Sequence, residues 1–161
     1  MAVRTYLEMT DPAAFHPAWT DVADARVEPV TACPPSFFRY LYREVGHAYG
    51  WVDRLGWTDD QIRAHLADPA VSLWLLTVGH APAGWAELRS EADGSTELAY
   101  VGLLPDFTGR GLGKHLVSVA VERAWELGAR RVWVHTSSGD HPAALPNYLA
   151  RGFSVFRTEP V

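Results

Sequence analysis

Seven residues, Thr108-Gly-Arg-Gly-Leu-Gly-Lys114, constrain this chain more than any other stretch. Three glycines alternate with larger residues, between a segment that reads as a strand and one that reads as a helix. With no Cβ atoms in the way, successive backbone N–H groups can converge on one point. The positive end of the following helix adds to them, so the turn suits an anionic oxygen cluster such as a pyrophosphate. Two familiar phosphate loops do not fit. A Walker A loop needs Gly at 108 and Ser or Thr at 115, where the chain has Thr108 and His115. A dinucleotide fingerprint begun at Gly109 needs Gly or Ala at 114, where Lys114 stands. A glycine-rich connection with no ligand is the plain alternative.

The rest of the chain limits what such a turn can serve. A length of 161 residues is the span of one compact domain, so residues 1–161 are expected to form a single unit. Lys plus Arg number 14 against 19 Asp plus Glu, a net charge of −5. That balance argues against a nucleic-acid partner held by bulk charge, because neutralising phosphates takes a surplus of Lys and Arg. Cys33 is the only cysteine, which excludes an internal disulfide and a Cys-based zinc cluster, and no metal is expected. The first ten residues carry Arg4 and Glu8 with no apolar run, so no signal peptide is visible. The longest apolar stretch, Val71 to Gly79, is too short for a bilayer. A cytoplasmic setting without membrane contact is the expectation.

Hydrophobic period then divides the chain. Val3 to Glu8 alternates as a first strand, and Asp11 to Asp24, with Pro12 and Pro17, reads as a loop or a broken short helix. Arg26 to Val30 reads as an edge strand, since Pro29 has no ladder donor. Pro34 and Pro35 open a helix through Val45, with Gly46 as its stop. Thr58 and Gln61 form a capping box for a second helix, Asp59 to Ala67. Strands Val71–Val78, Ala83–Glu91 and Glu97–Leu104 make an antiparallel meander. A helix from Leu112 ends at Gly128, and strand Arg131–Thr136, helix Pro142–Arg151 and strand Phe153–Thr158 follow. The order implies an α/β (α+β) sandwich, a mixed sheet with helices on its faces.

In that setting the loop and its surroundings resemble the GNAT superfamily of acyl-CoA-dependent N-acetyltransferases. The family's signature is Gln or Arg, two residues, Gly, one residue, Gly or Ala. Gly111 and Gly113 match it, whereas Thr108 replaces the long polar side chain. Glu97-Leu-Ala-Tyr-Val-Gly-Leu-Leu-Pro-Asp-Phe107 is similar to the family's central strand and the turn after it. Pro142 to Phe153, with Tyr148, Gly152 and Phe153, is similar to its closing helix, although Asp140-His141 stands where that helix usually begins with Asn. The likeness spans residues 70–158.

It implies a GNAT-like, mostly antiparallel sheet flanked by helices and splayed in the middle for acetyl-CoA as co-substrate. It also implies that the loop amides, from Thr108, Gly109 and Arg110 through Gly111, Leu112, Gly113 and Lys114, hold the CoA pyrophosphate. Thr108 would be a short donor there, with charge from Arg110 or Lys114. The main chain near Val101 and Leu103 would pair with the pantetheine arm.

Acyl transfer to an amine needs the amine neutral, although a lysine-like amine has a pKa of about 10.4 in water. It also needs donors for an oxyanion and a proton for the departing thiolate. Glu97 sits where histone-acetyltransferase-like members carry a general base; the plain reading is an exposed strand-end Glu, and Glu87 on the adjacent strand is the rival. Tyr148 matches the family's proton donor to the CoA sulfur, against a reading as an aromatic that packs the last helix. His135 and His141 are weaker relay candidates, and Cys33 has no fixed local partner.

The family forms its acceptor pocket from the first two helices and their loop. Here that region holds seven aromatics, among them Tyr42, Trp51 and Trp57, with Asp53 and Arg54 interleaved. Asp53 would favour an ammonium and Arg54 a carboxylate, which fits a zwitterionic small-molecule amine; a mutual salt bridge, or aromatics that only cover the sheet, are the alternatives. Trp19 is assigned to no element. Two rival functions stand beside the enzyme: a non-catalytic acyl-CoA sensor of the same fold, and a dimeric interaction module, a homodimer through its aromatic loop.

Overall fold

Apolar residues on the central strands give one seven-stranded sheet two buried faces at its middle, and the helices cover them there. The computed structural model describes residues 2–161. In chain order the elements are β1 (Val3–Met9), β2 (Ala25–Val30), α1 (Pro35–Gly46), α2 (Asp59–Ala67), β3 (Val71–Val78), β4 (Ala81–Ser90) and β5 (Ser95–Leu103). Then come α3 (Leu112–Glu126), β6 (Arg131–Ser137), α4 (Ala144–Ala150) and β7 (Ser154–Pro160). The sheet runs β2-β3-β4-β5-β6-β1-β7, with every pair antiparallel except β5 and β6. That one parallel pair needs a crossover, which α3 supplies.

The expected elements are present, with local differences. The first helix runs through Gly46 into a 3-10 turn, His47–Tyr49, and the chain reverses at Gly50 with φ +70°. The last helix starts at Ala144 rather than Pro142, because Asp140 first folds the chain into a turn, accepting from Ser137 N at 2.9 Å. Thr58 and Gln61 form both bonds of the capping box, and Pro29 does lie on an edge strand. Trp19 sets its edge against His115, centroids 5.6 Å apart. Its segment is tied to α3 where Ser118 Oγ accepts from Ala18 N at 2.9 Å and His115 Nδ1 from Thr20 N at 3.2 Å.

One face buries Leu7, Leu76, Leu88, Leu98, Val132 and Val134 against Leu112, Leu116 and Ala120 of α3. The other buries Leu73 and Trp85 under Phe38, Leu41 and Val45 of α1 and Ile62 of α2. Each fully buried Leu, Ile or Phe contributes about 1.5–3 kcal/mol. The second cluster draws on β2, β3, β4 and β5 and does not extend past β5. Beyond it, β6, β1 and β7 carry Tyr6, Trp133 and Phe156, over which the sheet lays its own cations: Arg157 is 5.0 Å from the Tyr6 ring and Arg131 4.9 Å from Phe156. Long charged side chains thus keep that aromatic face wet.

Two irregularities shape the centre. β5 and β6 pair only at Ser95–Arg131, Thr96–Val132 and Glu97–Trp133, and then diverge, so the sheet is splayed as expected. In the β4–β5 ladder Glu87 faces Tyr100 but Leu88 faces Leu98, which leaves Ala99 as an extra residue on β5. Such a bulge shifts the alternation by one and re-aims the side chains beyond it.

Candidate active site

The bulge decides which β5 side chains share a face. By simple alternation Glu97 and Tyr100 would point to opposite sides of the sheet. The extra residue at Ala99 brings both to the side of α1, where they line one cavity with Asp53, Arg54, Arg89 and His135. This cavity, of about 390 Å³, is predominantly polar. A second, of about 380 Å³, is mostly apolar and runs from Val101 and Leu103 across the glycine turn to α4. Tyr49, Trp51, Val101, Asp140 and Tyr148 line both, so the two spaces meet where β5 and β6 part.

The glycine turn has the form an oxyanion cluster needs. Gly109 (φ +75°) and Gly111 (φ +76°) both lie in the left-handed region, where L side chains are strained. Gly111 is also the N-cap of α3 and makes no side-chain cap bond, which leaves the first-turn amides to the cavity. Thr108, Gly109, Gly111, Gly113 and Lys114 line that cavity. Leu112 is fully buried in the core and has only its amide to offer. The Thr108 hydroxyl donates to Pro105 O at 2.9 Å, so its proton is already used. Arg110 lies over Phe107, 5.2 Å from the ring centre, and is not part of the lining; Lys114 is.

Just past the end of β5, Leu104 N donates to Ala83 O at 2.8 Å, toward β4. Backbone groups alternate along a strand, so the amides of Leu103 and Val101 face the splay instead. They are free there for an extended ligand.

Glu97 is 6% exposed. Arg89 Nη2 donates to its Oε1 at 3.2 Å, and His135 Nε2 stands 3.9 Å from Oε2. Burial holds the Glu97 carboxyl above its ordinary range; Arg89 opposes this, while Glu91 and Glu87 add to it. Burial, and then Arg4, push the His135 imidazolium down, favouring the neutral ring. Tyr148, on α4, is buried at the junction, and burial with the Asp140 charge raises its phenol above the usual value. The hydroxyl therefore keeps its proton at any working pH.

The acceptor-side expectations divide. Trp51 and Asp53 are at the cavity, Asp53 exposed at its rim. Arg54 lines the cavity too, but its fork is taken: Nη1 and Nη2 reach Glu87 Oε1 and Oε2 at 2.6 and 2.8 Å. It pairs with neither Asp53 nor an open space for a substrate carboxylate. Tyr42 and Trp57 line neither cavity. The Tyr42 hydroxyl accepts from Arg54 N at 3.3 Å, and Trp57 lies between Phe38 and His65 with the Arg54 guanidinium 4.8 Å from its ring. Glu87 is wholly buried in that pair, with His65 Nε2 3.0 Å away, so it is not placed to act as the rival base.

Asp140 is the residue that sequence reasoning passed over. Its carboxylate accepts from Thr136 Oγ1 at 2.7 Å and Ser137 N at 2.9 Å, with Trp51 Nε1 at 3.5 Å. It thereby joins the loop after α1 to the end of β6. Its position before the last helix, where the family has Asn, was the available signal.

Comparison with known proteins gives the chain its family and its fold. The model of the family described as acetyltransferase (GNAT) matches residues 35–153, which adds α1 and α2 to the region carrying motifs. A mycothiol acetyltransferase of Mycobacteroides abscessus is 29% identical to this chain, over 74% of it and 43% of the relative. A solved GCN5-related N-acetyltransferase from Kribbella flavida has a TM-score of 0.71 at 23% identity, over 97% of this chain and 55% of that one. Another from Sphaerobacter thermophilus has a TM-score of 0.69 at 18% identity, over 98% and 49%. The chain thus spans about half the length of these relatives, and the structural likeness is one of fold.

Proposed function

The chain belongs to the acetyltransferase (GNAT) family, and on that premise we propose that it is an acetyl-CoA-dependent N-acetyltransferase acting on the amine of a small molecule by direct transfer in a ternary complex. The observation that carries the reading is the junction: an apolar cavity over the glycine turn and a polar one at Glu97 share Val101, Asp140 and Tyr148 as common wall. Direct transfer needs both substrates to meet at one point, which abutting cavities allow. The size of the polar cavity suits a small molecule.

Residues present fit acetyl-CoA, which supplies the acetyl thioester when bound. The left-handed glycines and the uncapped start of α3 would hold the pyrophosphate, with Lys114 adding charge, and the free amides of Val101 and Leu103 would pair with the pantetheine arm. Glu97 would accept the amine proton, directly or through water; a carboxyl raised by burial is a stronger base than an ordinary one. Tyr148, which stays protonated, would donate to the departing sulfur. Asp53 at the rim would attract an ammonium. Among the described residues no helix is long and apolar enough to cross a membrane, and a cytoplasmic setting belongs to the proposal.

A non-catalytic acyl-CoA sensor is the second reading, favoured by the engaged Thr108 hydroxyl. Calorimetry with CoA, then thiol release across an amine panel, separates the two. Micromolar CoA binding with amine-dependent thiol release supports the enzyme. Binding without release from any amine supports the sensor. No CoA binding at all removes both and leaves a homodimeric interaction module, which sedimentation would test.

A further inference from the structure

The most enclosed ion pair among the described residues takes no part in the proposed transfer. Glu87 on β4 has 0% exposure, and the Arg54 side chain facing it has 9%. Both guanidinium ends meet both carboxylate oxygens, His65 Nε2 adds a contact at 3.0 Å, and the Tyr100 ring lies 4.4 Å from the Arg54 carbon. Burial raises the Glu87 carboxyl, but the bonds and charges of Arg54 and His65 outweigh it and hold it below its ordinary value. A pair this enclosed is weak evidence for stability, because desolvation offsets the attraction. Its position is more telling. Arg54 belongs to the irregular segment after α1 that carries Trp51 and Asp53, and it lines the polar cavity beside Glu97.

We propose that Arg54 and Glu87 are positioning residues for the acceptor side: their ion pair pins segment 50–57, with Trp51 and Asp53, against β4, and it neutralises the charge beside Glu97. The inference rests on the functional reading of that cavity. The groups facing Glu97 are Arg89 and Glu87 from β4, Glu91 from the turn after it, Arg54 from the pinned segment and His135 from β6. Removing Glu87 leaves the permanent charge of Arg54 uncompensated within this set, which lowers Glu97. Removing Arg54 instead leaves a wholly buried carboxyl that burial drives to take up a proton, so Glu97 is left nearly unmoved.

NMR titration of the Glu97 side-chain carboxyl tests this without any acceptor amine. Glu87→Gln, which leaves Arg54 unneutralised, is expected to lower the Glu97 midpoint by about one pH unit, whereas Arg54→Met, in which the buried Glu87 takes up a proton, should shift it much less. The double variant should return it close to wild type. The Trp51 indole resonance reports the pinning: it should move in Arg54→Met, in the double variant and in Arg54→Lys, which keeps the charge but loses the fork. An unmoved or raised Glu97 midpoint in Glu87→Gln would overturn the electrostatic role; an unmoved Trp51 resonance in Arg54→Lys would overturn the pinning. If Arg54→Met does not fold, Arg54→Lys and Glu87→Gln still decide both. Failure of thiol release would sink the proposed reaction while leaving these titrations readable.

Discussion

Gly152 joins α4, which carries Tyr148, to the last strand, and substituting Ala there should be among the most costly single-methyl additions the chain can receive. Its φ of +106° is outside the range L residues favour, which alone costs about 1–3 kcal/mol. A Cβ would also sit 1.9 Å from Ala14 O and 2.9 Å from Ala14 C, both backbone atoms held by the Pro12–Ala14 turn. Relieving that overlap means moving the turn, at about 1–3 kcal/mol for overpacking. It also endangers the bond from His16 N to Arg151 O, 2.9 Å long, worth about 1 kcal/mol. We expect a loss of about 4 kcal/mol, a fall in Tm of roughly 8–16 °C for a chain of this size. Gly128→Ala is the control: φ is +94°, but a Cβ there meets nothing within 4 Å, so only backbone strain of about 1–2 kcal/mol applies. Calorimetric melts of both variants, with urea slopes checked for constancy, give the comparison. A Gly152→Ala melt no lower than that of Gly128→Ala would refute the close approach as the cause.

Four other outcomes are expected. Tyr148→Phe should cut turnover about 10²–10³-fold, the range for a lost general acid, with Tm nearly unchanged since its hydroxyl has no hydrogen-bond partner among the described residues; full turnover would reduce Tyr148 to packing. The acid limb of the pH–rate profile should lie above the ordinary carboxylate range, because burial raises Glu97 and a base works only when deprotonated, and Glu97→Gln should abolish that limb. Because Glu87 is lowered in the folded state, its contribution to stability is present above the unfolded value of about 4.3 and fades as pH falls through the folded value; urea melts of wild type and Glu87→Gln should converge at acid pH. Thr58→Ala removes one side of the capping box and should cost about 1 kcal/mol, read as a fall in Tm of about 2–4 °C.

What could be read in advance was what neighbours in sequence settle. The capping box at Thr58, the strand alternation of β3 to β5 and the left-handed glycines before α3 depend on contacts within a few residues. For the same reason the glycine turn was legible, since a strand end, a turn and a helix start lie in one run; its role toward acetyl-CoA came from the family resemblance and is a proposal. The acceptor side was not. Arg54 and Glu87 are 33 positions apart, and nothing near either marks the other as its partner. Read locally, one looked free to hold a carboxylate and the other free to act as a base.

The sequence by itself determined the order of elements, the edge position of Pro29 and the glycine turn that opens α3. Only the tertiary structure decided which carboxylate is available. A single extra residue at Ala99 turns Glu97 and Tyr100 to the same face, and the buried fork of Arg54 removes Glu87 from solvent. Asp140, marked in the chain only by standing where the family has Asn, becomes the joint between both cavities once β6 and the loop after α1 meet. The physical reason is range: backbone propensity and capping act within one turn of chain, whereas burial, ion pairing and sheet register are fixed by segments that meet only when the whole domain has folded.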